Sequence, residues 1–212
     1  KDVFGFIKPM VDVHTMGVYT IANLLRDCGY KVYVSKDDIN EAVEQIHKIN
    51  NYSLVKQWIM NNKITRLGFS YRLDPKEGSD YFMCLYSHLK SDNMFEEQGG
   101  QLTQIFFAGL PDTCDIVKGK TNGEVLVFPG NESPIDSLRM LKVPEYLMPQ
   151  ALNQQDSYDD MRWAFAKNII ESERYRLESA QDHYGYSTCG TDTDTYVDRL
   201  NYARSKHSLP II

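Results

Sequence analysis

The amino-acid sequence predicts an α/β protein: a doubly wound, five-stranded parallel sheet followed by a mainly helical C-terminal extension. Three observations carry that expectation. Short apolar runs rich in β-branched and aromatic residues recur between Val3 and Phe128, and amphipathic stretches with apolar residues three and four apart separate them. The runs are apolar throughout instead of alternating, so both faces of each strand need cover, which helices on either side of a parallel sheet supply. After about Val143 the alternation stops.

Val3 to Met10 is the first run, ended by Pro9 and the Asp12 region, and reads as a buried strand. Val18, Ile21, Ala22, Leu25 and Cys28 then repeat with helical spacing. Gly29 stands where a helix C-terminus favours a residue free to take positive φ. "YKVYVS" is the second strand. From Asp37 to Asn61, Ile39, Val43, Ile46, Ile49, Leu54, Val55 and Ile59 keep a helical rhythm, with a break expected at "NNYS". "ITRLGFSYR" gives the third strand, Tyr81 to Phe95 a helix, "TQIFFAGL" the fourth strand and "PDTCDIVKG" a short helix opened by Pro111. "EVLVFPG" is the fifth strand, and Ser133 to Leu141 the last helix of the unit.

Residues 1–142 therefore read as one domain, and 143–212 as a linker and helical extension leading toward a further domain. Pro144, Pro149 and the polar "NQQDSYDD" form the linker. A long helix is expected from Asp160 to Ser179, with Met161, Ala164, Phe165, Ile169 and Ile170 along one side.

Composition narrows the function classes. The chain has 212 residues, 42% of them hydrophobic and 25% charged, with a formal net charge of −6 and no basic stripe, which argues against nucleic acid as a partner. No apolar run approaches the length of a bilayer span, and no basic and apolar leader opens the sequence, so a cytoplasmic protein is expected. Cys28, Cys84, Cys114 and Cys189 lie far apart with no CxxC pair, the pattern of buried thiols and not of a zinc or redox motif. His183 beside Asp182, and the acidic run Asp192, Asp194 and Asp198, lack the glycine and terminal glutamate of a calcium loop and read as solvated loop. His88, Trp58 and Trp163 read as packing residues.

In open parallel sheets, ligands bind at the carboxyl ends of the strands, where the winding direction reverses. His14 lies in the loop after the first strand, at that edge. Its surroundings spell D-x-H-x-x-G: Asp12, Val13, His14, Thr15, Met16, Gly17. A carboxylate two residues before a histidine can accept the Nδ1 hydrogen, which fixes the tautomer and makes Nε2 the better metal donor. Glycine three residues later leaves room for a bulky group to approach the backbone.

With a helix ending at Gly29 and a second strand behind it, the stretch from Asp12 to Val34 resembles the cobalamin-binding domain family, of flavodoxin-like or Rossmann-like fold. The family adds S-x-L after the third strand and a glycine pair after the fourth, and the resemblance covers residues 3 to about 142. It implies cobalamin, as adenosylcobalamin or methylcobalamin, held with its own base displaced by a protein histidine and its nucleotide tail in a slot between sheet and helix. Carried over residue by residue, His14 is the metal ligand and lower axial donor, Asp12 its orienting partner and Gly17 the close-approach position. Thr15, Met16, Ser70, Ala108 and Gly109 complete the implied cofactor-binding set. Arg72 stands where the family has leucine, and Ala108 where it has the first of two glycines.

Such a domain grips the lower face of the corrin, so the upper face must meet a partner: a catalytic barrel, as domain or subunit, in an arrangement compatible with oligomers. The first strand begins near residue 3, with no helical cap before it. This tilts the expectation toward the mutase type, in which radical rearrangement starts from homolysis of the cobalt–carbon bond. A methylcobalamin carrier of a methyltransferase system and a non-catalytic cobalamin sensor or adaptor are the alternatives.

Overall fold

The computed structural model describes residues 2–149, together with 163–168, 197–199, 201–202 and 205. The chain divides into two units, Lys1–Asn153 and Gln154–Ile212.

The first unit is a five-stranded, all-parallel sheet in the order β2-β1-β3-β4-β5. Its strands are β1 (Val3–Ile7), β2 (Lys31–Val34), β3 (Arg66–Tyr71), β4 (Gln104–Gly109) and β5 (Leu126–Phe128). The helices are α1 (Met16–Asp27), α2 (Asp37–Glu44), α3 (Ile49–Asn61), α4 (Pro75–Ser91), α5 (Pro111–Lys120) and α6 (Pro134–Met140). The doubly wound sheet expected from the apolar runs is thus present.

Two cores flank the sheet because each strand sends alternate side chains to opposite faces. On one face, Val18, Ala22 and Leu25 of α1 and Ile135 and Leu138 of α6 cover Phe4, Phe6, Phe106 and Phe128. Burying each Leu or Val of such a stripe contributes about 1.5–3 kcal/mol. On the other face, α2 to α5 cover Ile7, Leu67, Phe69, Tyr71 and Phe107. Val143 and Met148 are buried in the α1/α6 core, so the chain stays with this unit past the boundary expected after residue 142.

Two element boundaries differ from the sequence reading. The break between α2 and α3 falls at residues 45–48, not at "NNYS", which lies inside α3. Asn50 and Asn51 occupy the first turn of that helix, where free main-chain groups tolerate polar side chains. The Asn51 amide also donates back to the Gln45 carbonyl at 3.2 Å. Helix α4 begins at Pro75, ahead of the expected Tyr81. Asp74 caps it by accepting from the Glu77 N–H at 2.8 Å, and Pro75 fits the first position because its missing N–H has no partner there in any helix. Gly29 has the positive φ, 78°, expected of it.

His88 stacks on Tyr52 with ring centroids 4.6 Å apart, between α3 and α4. Trp58 packs against the α2 to α5 core. In the second unit, residues 163–168 are helical, with Ala164 and Phe165 exposed. Trp163 meets the Tyr202 ring at 5.6 Å and the Arg199 guanidinium at 5.1 Å. Asp198 is exposed. Met161, Ile169, Ile170, Asp182, His183, Cys189, Asp192 and Asp194 lie outside the described residues. Among the described residues, no helix is long and apolar enough to cross a membrane.

Candidate functional site

The winding direction reverses between β1 and β3, so the loops after these strands flank the crevice at the carboxyl edge of the sheet. Asp12 and His14 belong to the first of these loops, Arg72 to the second.

Asp12 is fully buried, and its carboxylate organises both loops. Oδ1 accepts from the His14 main-chain N–H at 2.9 Å and from His14 Nδ1 at 2.8 Å, while Oδ2 accepts from the Arg72 main-chain N–H at 2.8 Å. Three donors offset the cost of burying the carboxylate. The Asp12 N–H closes a turn onto the Pro9 carbonyl, and Lys8 Nζ donates to the Asp12 carbonyl.

The imidazole is oriented from one side only. A ring nitrogen that faces a carboxylate is its donor, which leaves Nε2 with a free lone pair. The His14 side chain is 53% exposed, so that lone pair belongs to a solvent-facing ring held by a buried partner. Around it the loops expose apolar side chains: Val13 at 78%, Met16 at 71%, Val11 at 46% and Leu73 at 37%. A Cβ added at Gly17 would meet no protein atom within 4 Å.

The remaining expected residues divide into two groups. Ser70 and Ala108 are paired across β3 and β4. They share the α1/α6 face, one row beyond Gly68, where a Cβ would strike the rings of Phe106 and Phe6. Two small side chains thus stand at the carboxyl end of that face, above a floor of aromatic rings. Gly109 points the other way: a Cβ there would come within 2.5 Å of the Phe107 ring and 2.7 Å of the Tyr71 carbonyl, so its small size serves internal packing. Arg72 lies across the ends of β4 and β5, its guanidinium donating to the Pro129 carbonyl at 3.1 Å and the Gly109 carbonyl at 3.5 Å. Sequence reading placed Arg72 as a departure in a slot lining and missed that its main chain completes the Asp12 site. No local pattern signals that contact.

A cleft of ≈ 250 Å³ opens on the other flank of the same edge, between β1, α1, β2 and the start of α2. Thr15 lines it, whereas Asp12, His14, Ser70, Ala108 and Gly109 do not.

No group of three or more His, Cys, Asp or Glu side chains suited to a metal ion occurs among the described residues. His14 offers a single oriented imidazole nitrogen, so a metal held there would have to bring its other ligands with it. Burial raises the Cys28 and Cys84 thiols and pushes Cys114 up to about 11, so none of these offers a thiolate at neutral pH. No protein-family model matches this chain, and no curated protein matches it.

Proposed function

We propose that the Lys1–Asn153 unit is a cobalamin-binding module that presents the corrin to a partner catalytic barrel for radical rearrangement. The observation that carries the reading is the Asp12–His14 pair: a buried carboxylate fixes Nδ1 as donor, and a solvent-facing Nε2 is left at the sheet's switch point. In this reading His14 would hold the cobalt, and the exposed Val13 and Met16 would meet the apolar rim of the macrocycle. The small pair Ser70 and Ala108 would line the entry of the displaced tail. Cobalamin held there would supply a cobalt–carbon bond for radical chemistry. The chain's own part is to bind and to orient the imidazole, with Nδ1 held on Asp12 and Nε2 turned outward.

The test is spectroscopic. Hydroxocobalamin mixed with the protein should give the visible spectrum of cobalt coordinated by histidine with its own base released. His14→Ala should lose that form while its circular dichroism stays unchanged. An identical spectrum from His14→Ala would overturn the assignment. Transfer of a methyl group from methylcobalamin to an acceptor, with no rearrangement supported by adenosylcobalamin, would place the module in the methyl-carrier class instead.

A further inference from the structure

The cleft between β1 and β2 has a chemistry of its own. Its inner wall is apolar, formed by Phe6, Val18 and Val34, but its polar groups are mostly donors. Asn40 is 6% exposed and lines it. The Oδ1 of Asn40 takes the Ser35 hydroxyl, and its amide NH2 has no protein acceptor among the described residues. At the mouth stand Lys8, Lys36 and the Thr15 hydroxyl. Lys36 has no carboxylate partner among the described residues, while Lys8 Nζ donates to the Asp12 main-chain carbonyl and keeps its remaining N–H groups for the cleft. One acidic side chain, Asp37, also lines the mouth, just after β2.

The Asn40 amide in the cleft, two ammonium groups at its rim and one carboxylate beside them match a particular pattern. The ammoniums and Thr15 suit a phosphate, and the Asp37 carboxylate beside them can accept from the hydroxyls of a sugar. The Tyr19 ring, 49% exposed at the same rim, offers an apolar face to a sugar or base. The volume is below the roughly 300–1,000 Å³ of sites that enclose drug-sized ligands, so the ligand is small or only partly enclosed.

We infer that this cleft is a binding site for a phosphorylated sugar, separate from the His14 nitrogen: Lys8, Lys36 and Thr15 take the phosphate, Asp37 the hydroxyls and Asn40 an acceptor inside. The inference does not rest on cobalamin binding. The same chemistry occurs in the nucleotide arm of a corrinoid, and the experiment separates the two sources.

Calorimetric titration of the full chain with ribose 5-phosphate should show saturable binding, with ribose alone far weaker. Lys36→Gln and Asp37→Asn, both at exposed positions that cannot upset the core, should each weaken it about tenfold, the loss of one charge-assisted hydrogen bond. No saturable binding, or binding unmoved by both variants, would overturn the inference. Displacement of ribose 5-phosphate by hydroxocobalamin but not by cobinamide, which lacks the nucleotide arm, would assign the cleft to that arm and overturn the separate site. The histidine-dependent cobalamin spectrum is read independently, so its survival alongside a failed titration sinks this inference alone.

Discussion

Asp12 and His14 are joined twice: one carboxylate oxygen, Oδ1, receives both the main-chain N–H and the ring Nδ1 of the histidine, at 2.9 and 2.8 Å. The double contact fixes the ring relative to its own backbone, and the second oxygen anchors the pair to Arg72 in the neighbouring loop.

Asp12→Asn tests that anchoring. An amide in this place offers one acceptor where the carboxylate offers two, so at least one of the three donors faces an NH2 group. Stability should fall by about 1–3 kcal/mol, the cost of leaving a buried donor unsatisfied, and cobalamin retention by roughly ten- to a hundred-fold. Urea unfolding and gel-filtration retention measure the two effects. An asparagine variant with unchanged retention would remove Asp12 from the orienting role.

Gly17→Val separates ligand contact from folding. The added side chain starts in open space near the beginning of α1, where valine is a better helix residue than glycine by a few tenths of a kcal/mol or more. Thermal unfolding should therefore hold steady or rise, while hydroxocobalamin retention drops at least about tenfold if the corrin lies over this turn. Retention equal to that of the parent would place the macrocycle elsewhere.

The Lys56–Asp92–Tyr52 contact predicts an acid dependence. The hydrogen bond from Lys56, then that from Tyr52, holds the Asp92 carboxyl below the usual range. A folded-state value below the unfolded one gives stability that is present above the unfolded value, near about 4, and is lost as pH falls through the folded value. Asp92→Asn should lower the urea midpoint at pH 7, and the gap to wild type should close as the pH is taken below about 4. The carboxyl is 37% exposed, so the gap will be modest and will shrink in salt. A gap that widens in acid would contradict the assignment.

Cys114 should be inert in the folded protein. It is 2% exposed, and burial pushes its thiol up to about 11, so the nucleophilic thiolate is scarce at pH 8. Mass spectrometry after iodoacetamide treatment should find Cys114 unmodified under native conditions and labelled in denaturant. Equal labelling in both would show that α5 opens readily.

The sheet was legible because each buried strand is written in neighbouring residues, whereas the strand order β2-β1-β3-β4-β5 came only from the fold. The α2–α3 break was not. Asn50, Asn51 and Ser53 carry turn-like preferences, but burial of Tyr52 between helices outweighs them. The start of α4 could have been read from Asp74, Pro75 and Glu77, which form a local capping pattern. At the site, the Asp12–His14 pair was legible because only one residue, Val13, separates them. The Arg72 contact spans 60 residues and uses a main-chain N–H, which any residue type would supply. Gly109 shows the limit of reading a glycine from its position: it suggests an open approach, and the Phe107 ring occupies that space.

Arg72 works at both ends of its residue: the backbone serves Asp12, and the guanidinium reaches Pro129 and Gly109. Gly130, with φ +100°, leaves space that a methyl group would take from that guanidinium. The chain just beyond the edge strand β5 is thereby tied to the imidazole loop after β1 through one residue, from the Pro129 carbonyl to the guanidinium and from the Arg72 N–H to Asp12.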